Sequence, residues 1–209
     1  MKKLLLILGI IFYTIGFAQT DEQKKILQDT QTFATSFENK DYDAILQMSY
    51  PPLLEQFDKK TLISVFKATL EGNDNFSIKI KNASPDLYEV SEVFRNNDKS
   101  KFAFVSFPMV MEMSFLQKKL DESMKNLIIN TMQQQGMKAN FINDNTILIE
   151  KLSLTLAIND KATKHTWKYL NHDENNPLYT KIVSKDIIKK AKEYYAELLQ
   201  KQDEEIIAK

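Results

Sequence analysis

Apolar residues recur along the chain at two spacings, about 3.6 and about 2 residues, and the changes between them predict its elements. Over residues 21–38, Ile26, Phe33 and Phe37 fall near one helical face, and Thr20 followed by Gln23 predicts a capping box. A short helix starts near Asp41 and carries Ile45, Leu46 and Met48. Tyr50-Pro51-Pro52 then interrupts it, because a residue before proline is pushed out of the α region. A third helix starts near Asp58: Leu62, Val65, Phe66 and Leu70 share a face, and Gly72 suits the C′ position.

Strands follow. Phe76, Ile78 and Ile80 alternate with Ser77, Lys79 and Lys81, the period of a half-buried strand. Tyr88, Val90 and Phe94 predict the next, closed by the turn residues Asn96-Asn97-Asp98. The stretch from Lys101 to Met113 is apolar on both faces and predicts a central strand, with Pro108 forcing a bulge or a free N–H. Ser114, with Gln117 placed for a capping box, opens an inserted helix near 114–136, and Leu116, Leu120, Met124, Leu127, Ile128 and Met132 trace its face. Such a stripe marks an ordinary packed helix or a partner-binding element. Alternation returns from Thr146 to Ile158, and Asn159-Asp160 predicts a turn into a strand over 164–170. A long C-terminal helix from about Ser184 carries Ile187, Ala191, Tyr194 and Leu198. Helices first and antiparallel strands after them define an α+β domain, with the helices on one sheet face.

The predicted hairpin at Asn159-Asp160 gives an expectation about faces. Leu148, Leu152, Leu154 and Leu156 share one side, which makes it the buried one, while Lys151, Ser153 and Thr155 occupy the other. An even-residue turn would place His165, Trp167 and Tyr169 on the leucine side. With Leu154, Leu156 and Tyr50 they would line a pocket of aromatic walls and a few convergent polar groups. The alternative is a core rim, where Trp and Tyr bury their rings and reach a partner with N–H or O–H.

Phe37-Glu38-Asn39-Lys40-Asp41-Tyr42-Asp43-Ala44-Ile45-Leu46, then Tyr50-Pro51 and a capped helix, resembles the opening of NTF2-like (SnoaL-like) domains. The late Trp167-Lys168-Tyr169-Leu170 segment is similar to the closing strand of that family. The likeness covers residues 21–110 and 146–172. It implies N-terminal helices packed on a bent antiparallel sheet, as a cone with a cavity between the two layers. The helix near 114–136 and the long C-terminal helix depart from the family's pattern. Isomerases, dehydratases, binding modules and inert scaffolds all use such a cavity, so the fold does not choose among them.

Composition adds a compartment. Lys2 and Lys3, an apolar run from Leu4 to Phe17 and small residues at Gly16 and Ala18 have the parts of an export signal over 1–18, with cleavage before Gln19. The run is shorter than the roughly 20 residues that span a bilayer, so no stable membrane anchor is expected after cleavage. Residues 19–209 then form one domain, expected in the periplasm or secreted. The 28 basic and 28 acidic residues balance and leave no electrostatic handle for nucleic acid. The absence of cysteine excludes disulfides, thiol catalysis and thiolate metal sites.

No motif carries a reaction: G-x-S-x-G, H-E-x-x-H and the phosphate-binding glycine loops are all missing. Met109, Met111 and Met113 would align three thioethers, which suits Cu(I), but they continue the face of Ala103, Val105 and Phe107 as core residues do. His172-Asp173-Glu174 offers metal ligands that diverge along an extended chain, so neither metal nor cofactor is expected. Asp41 and Asp43 read as helix caps. His165 is the candidate acid or base, with Tyr169 and Tyr50 as hydrogen-bond donors. The expected protein is a non-enzymatic exported domain that binds a small apolar ligand or an envelope protein through its concave face. The alternative is an isomerase or dehydratase-like enzyme using His165.

Overall fold

Thr20 caps the first helix as the sequence predicts. Its hydroxyl accepts from the Gln23 N–H at 3.2 Å, and the Gln23 side chain accepts from the Thr20 N–H at 2.9 Å, closing the capping box of α1 (Asp21–Glu38). The structure, a computed structural model, describes residues 19–116, 119–173 and 176–207; the segment 1–18 expected to direct export, Gln117 and Glu174 lie outside them. Asp41 caps α2 (Tyr42–Met48) and Asp58 caps α4 (Lys59–Leu70), while Pro51 starts the single turn α3 (Pro51–Leu54) between them.

Two long strands form the spine of an open eight-stranded antiparallel sheet: β5 (Lys101–Phe115) and β7 (Thr146–Asn159) pair without a break from Lys101↔Asn159 to Ser114↔Thr146. The outer edge of β5 carries β2 (Phe76–Lys81), itself paired with the two-residue β1 (Gly72–Asn73). Farther along the same edge lie two more short strands, β3 (Glu89–Val90) and β4 (Phe94–Arg95). The outer edge of β7 carries β6 (Lys138–Phe141) and β8 (Lys168–Asn171). Pro108 breaks nothing. It pairs with Leu152 in register and sits in the stretch 107–109 that no strand covers on the β2 side, so no ladder bond is lost there.

Alternation along β5 and β7 feeds two cores on opposite sides of the sheet. Ala103, Val105, Ala157 and Tyr169 face α1, α2 and α4 and pack with Ile26, Phe33 and Ile45. Phe102, Phe104, Leu154 and Leu156 face the other way, onto α6 (Pro177–Ile182) and α7 (Lys185–Ile207) through Tyr179, Val183 and Ala191. The expectation of helices on one face is therefore corrected: the sheet is covered on both, as the two-sided apolar pattern of β5 requires. Glu22 ties α1 to the sheet, accepting from Arg95 at 2.7 Å and Lys101 at 2.8 Å. Partial burial opposes ionisation of Glu22, but the two cations outweigh it and hold the carboxyl below its ordinary range.

The inserted helix is shorter than expected and begins later. Ser114 remains in β5, its hydroxyl 2.9 Å from that of Thr146, and α5 (Glu122–Gln134) is capped by Asp121. No residue of α5 is buried; Leu127 is 67% exposed and Met124 39%. Leu120, just before the helix, is the side chain of that apolar series that is buried. Among the described residues no helix is long and apolar enough to cross a membrane.

Candidate functional site

The six residues expected to share a pocket are divided among three places. The connection from Ile158 to Lys168 holds an odd number of residues (159–167), so Leu156 pairs with Leu170 and Ala157 with Tyr169. Tyr169 thus sits in the core under α1, and Trp167 packs against the same core. Leu154, Leu156 and Tyr50 belong to the opposite core, beneath α7. His165 is exposed, in a left-handed conformation (φ 57°) within that connection. The expected pocket is not formed.

The connection is a knot of local bonds instead of a tight hairpin. The Thr163 N–H donates to Asp160 Oδ1 at 2.9 Å, and the Asp160 N–H donates to Thr163 Oγ1 at 2.9 Å. Tyr50 donates its O–H to Asp160 Oδ2 at 2.8 Å, which ties α3 to this loop. Burial, then the Asp160 carboxylate, push the Tyr50 phenol well above its ordinary pKa. Burial and the nearby Asp29 carboxylate do the same to Tyr169, whose hydroxyl is buried without a hydrogen-bond partner of good geometry. Both tyrosines are locked in the protonated state and act as structural posts.

A real cavity of about 340 Å³ lies elsewhere, between the N-terminal helices and the sheet. α1 contributes Phe33, Ala34 and Phe37, and α4 contributes Val65, Phe66 and Leu70. The sheet wall is Ile80 of β2 and Phe107, Met109 and Met111 of β5. Ser153, Thr155 and Asn171 continue it onto β7 and β8. The walls are braced by ring contacts: Phe33 meets Phe37 edge-on with centroids 4.9 Å apart, and Tyr88 stacks behind Phe107 at 4.5 Å. Burial, reinforced by Glu38, pushes the Tyr88 phenol up to about 12.

Ser153 and Thr155 stand on the face that the sequence assigns outward. Their inward position follows from the second helical layer: once α7 takes the leucine side of β7, the polar-looking side lies under α1. The signal is present in β5, whose odd positions run from Ala103 through Met111 as one apolar face. Those methionines work as wall, with thioethers that adapt to irregular shapes.

The polar groups of the lining are mostly committed to the fold. Thr30 and Thr69 donate to helix carbonyls, at 2.8 Å to Ile26 and 2.9 Å to Val65. Asn82 donates to Thr35 and Glu38, and Lys81 is ion-paired with Glu112. The lining contains no His, Asp, Glu or Tyr, so no imidazole, carboxyl or phenol stands within it to move a proton. Elsewhere, His172 Nδ1 lies 2.7 Å from the Tyr179 hydroxyl beside α6, as part of the packing there. Among the described residues no group of three or more His, Cys, Asp or Glu is placed to hold a metal ion. Compared with known proteins, the sequence matches no family model and no curated protein.

Proposed function

We propose that this chain is an exported, non-enzymatic binding domain that takes a small apolar molecule into the cavity between α1, α4 and the sheet. The observation that carries it is the composition of that cavity: four phenylalanines and two methionines form the walls, with no carboxyl, imidazole or phenol among the lining residues. The helices-then-strands order supports reading the fold as NTF2-like, with α5 and α7 as additions to that pattern. His165, exposed and outside the lining, has no part in binding. An envelope-protein partner is the second reading, favoured by the exposed Leu127 and Met124 of α5.

Fluorescence of N-phenyl-1-naphthylamine, a neutral apolar probe, separates these readings. Val65 is 54% exposed at the cavity rim, so Val65→Trp should narrow the entrance without unfolding the chain. We expect saturable probe binding to the purified domain, weakened about tenfold or more by Val65→Trp, and unchanged in His165→Ala and Leu127→Glu. Absence of binding, or loss in Leu127→Glu alone, would move the function away from the cavity. For export, N-terminal sequencing of chain recovered from outside the cytoplasm should begin at Gln19; an intact Met1 terminus in the cytoplasmic fraction rejects it.

A further inference from the structure

The cavity is elongated and polar at one end, and this selects among apolar ligands. It crosses the sheet from Ile80 on β2, past Met109 and Met111 on β5, to Thr155 on β7 and Asn171 on β8. Three strand spacings make that path at least about 14 Å, roughly the length of ten extended methylene groups. Its far end holds the polar groups that the fold leaves over. The Thr155 hydroxyl donates to Asn171 Oδ1 at 3.2 Å, which uses the carbonyl oxygen and leaves the amide N–H groups of Asn171 without a partner among the described residues. The Ser153 hydroxyl likewise makes no hydrogen bond among them. Lys151 comes next on the same sheet face, cross-strand from Met109, partly exposed and without an ion pair among the described residues.

All three leftovers are donors. An ammonium and an amide N–H cannot accept, and a serine hydroxyl beside them is free to donate as well. A neutral alcohol fits this set less well: its own O–H has only Ser153 Oγ to accept it among the three, and it brings no charge to meet the ammonium. An ionised carboxylate is acceptor-only and gains charge-assisted bonds from such a cluster. We infer that the ligand is an anionic single-chain amphiphile of the fatty-acid class. Its chain lies across the sheet between Phe33, Phe66 and Met109, and its carboxylate meets Ser153, Asn171 and Lys151.

This assignment rests on the cavity being the binding site, so its test carries the neutral probe as a separate arm. Decanoate and decanol are titrated against bound N-phenyl-1-naphthylamine at pH 8, below the micelle concentration of the acid. Decanoate should displace the probe at about tenfold lower concentration than decanol, and the preference should shrink as salt rises. Lys151→Gln should reduce that preference and leave affinity for the neutral probe unchanged, and Ser153→Ala should reduce the preference as well. Probe binding with equal displacement by acid and alcohol, or a preference untouched by Lys151→Gln, overturns the fatty-acid assignment alone. If neither the probe nor decanoate binds, calorimetry with decanoate included, the binding function and the ligand class fall together.

Discussion

Replacing Phe104 by alanine should remove about 3–5 kcal/mol of folding free energy, a large share of what a domain of ordinary stability possesses. Phe104 is fully buried and pairs across the sheet with the equally buried Leu156. Its ring lies 5.4 Å from Tyr194 of α7, 5.6 Å from Phe94 and 5.8 Å from Phe102. The hole left by truncation cannot close by collapse, because β5 is held by β7 on one side and by the Ser91 hydroxyl, which accepts from the Phe104 N–H at 2.9 Å, on the other. Urea unfolding followed by the fluorescence of Trp167, the one tryptophan, measures the loss from the opposite core and so reports the whole domain. Leu127→Ala, on the open face of α5, should stay within about 0.5 kcal/mol as the control. A Phe104→Ala loss below about 1 kcal/mol would mean that α7 does not seal this side of the sheet.

The second large effect is expected at a glycine. Gly72 ends α4 and starts the β1–β2 hairpin at φ +88°, where a Cβ would come within 2.0 Å of the Phe76 carbonyl oxygen. Gly72→Ala therefore adds a backbone collision to the ordinary penalty of a left-handed residue, at least about 2 kcal/mol in total. Gly136, past the end of α5 at φ +73°, has nothing within 4 Å of the same added atom. Gly136→Ala should incur the conformational penalty alone, about 1 kcal/mol. The difference between the two melting curves isolates the collision. Equal losses would show that the hairpin shifts to make room.

Cap chemistry makes the helices legible in the sequence. Thr20, Asp41 and Asp58 each bond an N–H two or three residues ahead, an interaction encoded in a handful of neighbouring positions. The inserted helix misleads for the same local reason: Ser114 and Gln117 match a capping box, yet Ser114 is held by ladder partners on both sides, Ser77 and Thr146. Tertiary pairing outweighs the local signal. The expected pocket fails on parity. Asn159-Asp160 has turn chemistry, but Asp160 folds back on Thr163 and lengthens the connection, and an odd count sends Tyr169 to the opposite side from Leu156. The cavity is half-visible in the sequence, in the aromatic and methionine positions of α1, α4 and β5. Its polar end is hidden there, because Ser153 and Thr155 look like a solvent face unless α7 occupies the other side.

Because every second residue of β5 and β7 belongs to a different core, synthesis order matters for this chain. The layer from α1 to α4 emerges first and can cover its side of the sheet as soon as the strands pair. The partners for Phe102, Phe104, Leu154 and Leu156 are α6 and α7, which follow both strands in the chain. Until they arrive, a chain whose strands have already paired presents a broad greasy flank to its neighbours. A nascent copy is thus vulnerable to self-association until these helices are made, and α7 acts as the latch that ends that interval.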